Sequence, residues 1–138
     1  MKIICVIDGQ GGGIGSKIIS RLKELLHESV EIIALGTNAI ATAQMLKAKA
    51  NRGASGENAI IQTAPQADII IGPLSIVVAH AMMGEVTAPM AEAVARSRAK
   101  KILIPLNQEN IEIAGLESLS LPQLMDAVME KNLVQHLT

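Results

Sequence analysis

Residues 2–15 read KIICVIDGQGGGIG. Ile3–Ile7 run apolar without interruption, the pattern of a strand covered on both faces of a sheet. Asp8 ends the run, and Gly9, Gly11, Gly12, Gly13 and Gly15 follow at once. Ile14, Ile18, Ile19, Leu22, Leu25 and Leu26 then recur at helical spacing, with Lys17, Arg21, Lys23, Glu24 and Glu28 on the other side. A strand, a glycine loop and an amphipathic helix in this order open an α/β sheet whose ligands lie at the carboxyl ends of the strands.

The rest of the chain repeats the alternation. Glu31–Leu35 is a second strand, and Thr37 or Asn38 can cap a helix running to about Ala50. Asn51–Gly56, NRGASG, reads as a second loop, opening a short helix that ends near Pro65. Asp68–Gly72 is a third strand. Ser75 can cap an apolar helix over 76–83, IVVAHAMM, that breaks at Gly84, and Thr87 caps the next, Pro89–Ala99. Lys101–Leu106 is a fourth strand, and Ile111–Ala114 alternates like a further, more exposed one. Ser120, Pro122 and Gln123 open the last helix with a capping box. Strands alternating with helices predict right-handed crossovers. The expected fold is a three-layer Rossmann-like α/β domain spanning residues 1–138. Its mostly parallel sheet has four or five strands in the order 2-1-3-4 plus an edge strand. Between the second and third helices either a very short strand lies near residues 50–53 or the sheet is truncated there.

Composition closes several functional classes. Among 138 residues there is no Phe, Tyr or Trp. A tyrosine acid/base, an aromatic cage and a stacking platform for single-stranded nucleic acid are therefore absent. Twelve Lys and Arg stand against thirteen Asp and Glu, which leaves no basic field for a nucleic acid backbone. No stretch approaches the ~20 apolar residues of a membrane span, and no Cys/His cluster suggests zinc. The single Cys5 lies inside the first strand and has no partner for an internal disulfide, which fits the cytoplasm.

The glycine loop carries the strongest chemical signal. Glycines at the start of a helix let free backbone amides surround an anion, aided by the helix dipole. Neither G-x-G-x-x-G nor the P-loop order fits Gly9–Lys17, but G-x-x-x-G-x-G does, at Gly9, Gly13 and Gly15 with Ile14 between the last two. This resembles the cofactor loop of short-chain dehydrogenases over the first strand, loop and helix. The resemblance implies a phosphate-cradling role for Gly9, Gly13, Ile14 and Gly15. That family's Tyr-x-x-x-Lys cannot exist here, so its hydride chemistry does not follow.

Candidate ligand-binding residues are thus Gly9, Gln10, Gly11, Gly12, Gly13, Ile14 and Gly15, flanked by Thr37, Asn38, Arg52, Gly72 and Pro73. Each has a plain alternative: the glycines as a tight turn, Thr37 and Asn38 as helix caps, Arg52 as part of a connection. Asp8 orders the loop or holds a metal. Leu35–Asn38 offer no acid for an NAD ribose, so the usual NAD recognition is disfavoured while NADP or another nucleotide is permitted. His80 and Glu85 can supply acid/base chemistry if the turn at Gly84 joins them, or His80 is simply packed.

From end to end the sequence resembles an uncharacterised family of short bacterial proteins classed as a domain of unknown function. The blocks that carry the resemblance are DGQGGGIG at 8–15, ALGTNAIAT at 34–42, NRGASGENAI at 51–60, IIIGP at 69–73 and KKILIPLN at 100–107. It implies a bacterial cytosolic setting and a Rossmann-like fold, and brings no activity. The expected function is binding of a nucleotide or other phosphorylated small molecule. The alternatives are an NADP-type reductase, a phosphoryl-ligand isomerase, or a regulatory or scaffold subunit. A homo-oligomer is expected from the 76–83 run and a seam of Met125, Met129 and Leu133, whose alternative is ordinary core.

Overall fold

The computed structural model describes residues 1–106 and 109–137. Five strands form one parallel sheet: β1 (Ile3–Asp8), β2 (Glu31–Gly36), β3 (Arg52–Ser55), β4 (Ile69–Pro73) and β5 (Lys100–Ile104), in the order β3-β2-β1-β4-β5. Five α-helices connect or follow them: α1 (Gly13–Leu26), α2 (Ala39–Lys47), α3 (Glu57–Thr63), α4 (Ala88–Arg96) and α5 (Leu121–Ala127). This is the expected three-layer α/β fold. Asn107, at the end of the KKILIPLN block, lies outside the described residues.

The unbroken apolar runs follow from period-two geometry inside a sheet covered on both sides. In β1, Ile4 and Val6 face one core, shared with Ile18, Ile19 and Leu22 of α1, Ala41 and Met45 of α2, and Leu124 and Met125 of α5. Cys5 and Ile7 face the other, with Ile60 of α3 and Met90 and Val94 of α4. Burying each large aliphatic side chain contributes roughly 1.5–3 kcal/mol, and these two layers fix which helix lies on which face.

Three segments depart from the sequence reading. Arg52–Ser55, inside the 51–56 segment read as a loop, is a short edge strand paired with Ile33–Gly36, which decides for the short strand near 50–53 against a truncated sheet. Its side chains are exposed, so no hydrophobic pattern marks it. Asn51 sets it in place, its N–H donating to the Ile32 carbonyl and its Oδ1 accepting from the Ile32 N–H, both at 2.8 Å.

The 76–83 run is not a helix. A 3-10 turn at Leu74–Val77 gives way to tight turns, because His80, Met82 and Met83 take positive φ of 71°, 56° and 56°, which no α-helix accommodates. Its apolar residues nonetheless serve the core, with Ile76, Ala81 and Met82 buried beneath α4 together with Val86 just beyond the run. Ile111–Ala114 likewise forms no strand. Met125, Met129 and Leu133 are buried in the protomer, so the proposed oligomer seam is ordinary core.

Gly72 lies on β4 beside Ile7 at the end of β1, and a Cβ there would meet the carbonyl oxygen of Ile7. Burial pushes the Cys5 thiol up to about 12; Arg52 opposes the push, and Glu31 and Asp68 add to it. Cys5 should therefore resist a thiol-labelling reagent until the sheet opens. Gly72→Ala should lower stability by about 1–3 kcal/mol, read as Cys5 labelling at lower urea than in the wild type.

Candidate functional site

The carboxyl ends of β1 and β2 carry a closed set of polar contacts. Asp8 ends β1 and is buried, at 3% exposure. Its Oδ1 accepts the Gly9 N–H at 2.8 Å and its Oδ2 the Gly15 N–H at 2.7 Å, so one carboxylate ties both ends of the glycine loop together. Burial raises the Asp8 carboxyl above its ordinary value of 3.8, the N–H groups of Gly15, Gly9 and Ile14 oppose that, and the Glu85 charge reinforces it. Ordering the loop is thus what Asp8 does. Among the described residues no group of three or more His, Cys, Asp or Glu is placed to hold a metal.

The loop glycines serve different ends. Gly12 has φ +73°, and a Cβ would lie 2.8 Å from the Ala41 carbonyl oxygen. At Gly15 a Cβ would strike Met45 Sδ at 2.5 Å, and at Gly9 it would strike Met82 Sδ and Thr37 Oγ1, both at 2.5 Å. Those three are required by the fold. Gly11 and Gly13 are exposed, lie outside the left-handed region, and would place a Cβ in open space. Among the described residues neither of their N–H groups has a hydrogen-bond acceptor. Ile14 opens the first turn of α1, half-buried against the α1 core.

Thr37 and Asn38 meet the loop at the end of β2. The Asn38 side chain does two jobs at once. Its Oδ1 caps α2 by accepting the Ala41 N–H at 2.8 Å, while its Nδ2 donates to the Gln10 carbonyl at 3.0 Å and to Glu85 Oε1 at 2.8 Å. Thr37 Oγ1 donates to the same Glu85 oxygen at 2.7 Å, as does the Gln10 N–H at 2.8 Å. Burial pushes the Glu85 carboxyl up, but these bonds together outweigh it and hold it below its ordinary 4.5.

Glu85 therefore belongs to the site, in a different role from the expected one. The turn at Gly84 does not pair it with His80; its charge goes to Gln10, Thr37 and Asn38. The His80 side chain is exposed and hydrogen-bonds to nothing among the described residues. Arg52 is not part of the site either. It stands level with Ile33, about 10 Å below the strand ends, and its guanidinium pairs with Glu31 at the foot of β2. Gly72 and Pro73 end β4 fully buried, where Gly72 serves strand packing. Just beyond them Ser75 Oγ is, among the described residues, the one buried side-chain polar atom without a partner.

Residues 3–136 match the family described as Domain of unknown function (DUF3842). The chain belongs to that family. No curated protein matches the sequence. Among solved structures, a dodecameric FMN-dependent UbiX-like decarboxylase from Escherichia coli O157:H7 aligns over 98% of this chain and 94% of its own, with TM-score 0.52 and 15% identity. A universal stress protein in complex with cAMP aligns over 75% of this chain and 98% of its own, with TM-score 0.42 and 18% identity. The first likeness is one of fold.

The two carboxylates of the site should titrate with opposite effects on stability. Asp8 holds its proton more tightly when folded, so its contribution falls as pH rises from 3.8 through the higher folded value. Glu85 holds its proton less tightly when folded, so its contribution is present above 4.5 and lost as pH falls through the lower folded value. In urea titrations followed by far-UV circular dichroism, the stability of wild type relative to Asp8→Asn should decline with rising pH. Relative to Glu85→Gln it should increase.

Proposed function

We propose that this protein binds a small phosphorylated molecule, a nucleotide or a smaller phosphate ester, with a phosphoryl group on the amides of the 9–15 loop. The observation that carries the reading is the pair Gly11 and Gly13. Nothing in the fold requires glycine at either place, yet both residues are exposed and, among the described residues, neither N–H has a hydrogen-bond acceptor. An anion there would meet donors at the start of α1, a 14-residue helix with no acid in its first turn, near the exposed Lys17.

The reductase alternative gains no support at β2. A 2′-phosphate needs a cation, and the cluster at Thr37 and Asn38 contains only neutral donors around a carboxylate. Rings bound here would rest on aliphatic side chains or peptide planes, since the chain has no aromatic ones. Among the described residues no helix is long and apolar enough to cross a membrane.

Thermal melts by circular dichroism test the reading with pyrophosphate, AMP and ATP at millimolar levels. A ligand at a hundredfold excess over its Kd should add about 2.7 kcal/mol to stability. Gly13→Asp should remove that gain while leaving the unliganded melt close to wild type, because its side chain enters open space. If none of the three ligands raises the melting temperature, or if Gly13→Asp binds as well as wild type, the loop is not a phosphate site.

A further inference from the structure

Glu85 occupies a position that its own segment is contorted to reach. Between residues 80 and 84 four backbones take positive φ, at His80, Met82, Met83 and Gly84, three of them without the freedom of glycine. The contortion delivers one carboxylate oxygen onto three donors from two strand ends: the Gln10 N–H, Thr37 Oγ1 and Asn38 Nδ2, at 2.7–2.8 Å. All three donors are neutral, and one is a main-chain amide of the glycine loop. Gln10 itself takes φ +50° and donates its N–H to Glu85, and the next amide in line, that of Gly11, has no acceptor among the described residues. The donor array is therefore larger than Glu85 uses, and it is continuous with the amides assigned above to a phosphoryl group.

We propose that the Gln10, Thr37 and Asn38 donors are an oxyanion subsite, that Glu85 fills it as a tethered carboxylate when no ligand is bound, and that a phosphoryl oxygen of the ligand replaces it. The proposal rests on the reading that the 9–15 loop takes a phosphorylated ligand. The exchange needs no movement of the core. Ala81, Met82 and Val86 on either side are buried, while Met83 and Gly84 at the tip are exposed, so rotation of the Glu85 side chain alone vacates the donors. A second anchor strengthens this division, since the Met82 N–H donates to the Glu109 carboxylate at 2.9 Å. Held by its own chain, the carboxylate competes at a high effective concentration, and the apparent affinity of the ligand falls by the fraction of chains whose subsite is open.

Calorimetric titration with inorganic pyrophosphate tests the exchange. Glu85→Ala should bind it about tenfold or more tightly than wild type, and Glu85→Gln, which keeps an acceptor but no charge, should fall between. Adding Thr37→Val to Glu85→Ala should return most of the gain. Glu85→Gln answers the question even if the alanine variant folds poorly. Equal or weaker binding by both Glu85 variants overturns the proposal. If that happens while Gly13→Asp still abolishes pyrophosphate binding, the loop reading stands and only the exchange falls. If wild type and all variants fail to bind, the loop reading falls with it.

Discussion

The carboxylate of Asp8 is the constraint on which the strand-end geometry depends. It is a buried acid at the end of the central strand, and burial alone would drive it toward the neutral form. Its two oxygens accept the amides that bracket the loop, Gly9 and Gly15. Charge-assisted bonds to backbone N–H groups are what make a buried carboxylate tolerable. With both ends tied, the five intervening residues have little choice of path, and Gly12 is forced into the left-handed region against Ala41. Gln10 donates its N–H to Glu85 and Gly12 its own to the Gly9 carbonyl, which leaves the amides of Gly11 and Gly13 without an acceptor among the described residues.

Asn38 extends the same constraint to the second strand. A helix cap and a ligand contact read as alternatives in the sequence, because a hydroxyl or a carboxylate usually serves one or the other. An amide side chain has an acceptor at one end and a donor at the other. Here Oδ1 caps α2 and Nδ2 reaches Gln10 and Glu85, so the orientation of the donor is fixed by the helix it caps. Thr37 is oriented in turn by its main chain, whose N–H donates to the Asp8 carbonyl. The site is therefore held by backbone bonds and one cap, not by loose surface side chains.

What could be read from the chain divides along physical lines. β1, β2 and β4 announce themselves because strands covered on both faces carry near-continuous apolar runs, and β5 does so through Ile102–Ile104 after two lysines at its exposed start. Asp8 and the Ser120 capping box are legible because their partners lie within a few residues. β3 leaves no hydrophobic mark, since RGAS buries no side chain and exists through backbone pairing at an edge, so a short strand near 50–53 and a truncated sheet stand as equal alternatives in the sequence. The 76–83 run misleads because an apolar stretch reports burial without reporting period, and the left-handed turns at His80, Met82 and Met83 leave no mark on composition. Glu85 meets Gln10 across 75 residues of chain. No local pattern encodes such a contact, and the sequence offers Glu85 only the nearby His80 as a conditional partner.

These distinctions sharpen what the glycine motif means. Taken as a string, GQGGGIG cannot separate a tight turn from a phosphate cradle, since both call for glycine. Position by position the two demands come apart. Gly9, Gly12 and Gly15 answer to Met82, Ala41 and Met45, and a chain with no ligand would need them all the same. Gly11 and Gly13 answer to nothing in the protein. A turn that evolved only to join β1 to α1 would gain helix propensity and lose unfolded-state entropy by placing another residue at Gly13, a benefit of roughly 0.5–1 kcal/mol. Forgoing it is consistent with close approach of another molecule to the main chain, and the neighbouring carboxylate of Glu85 shows that this strand end already holds one anion.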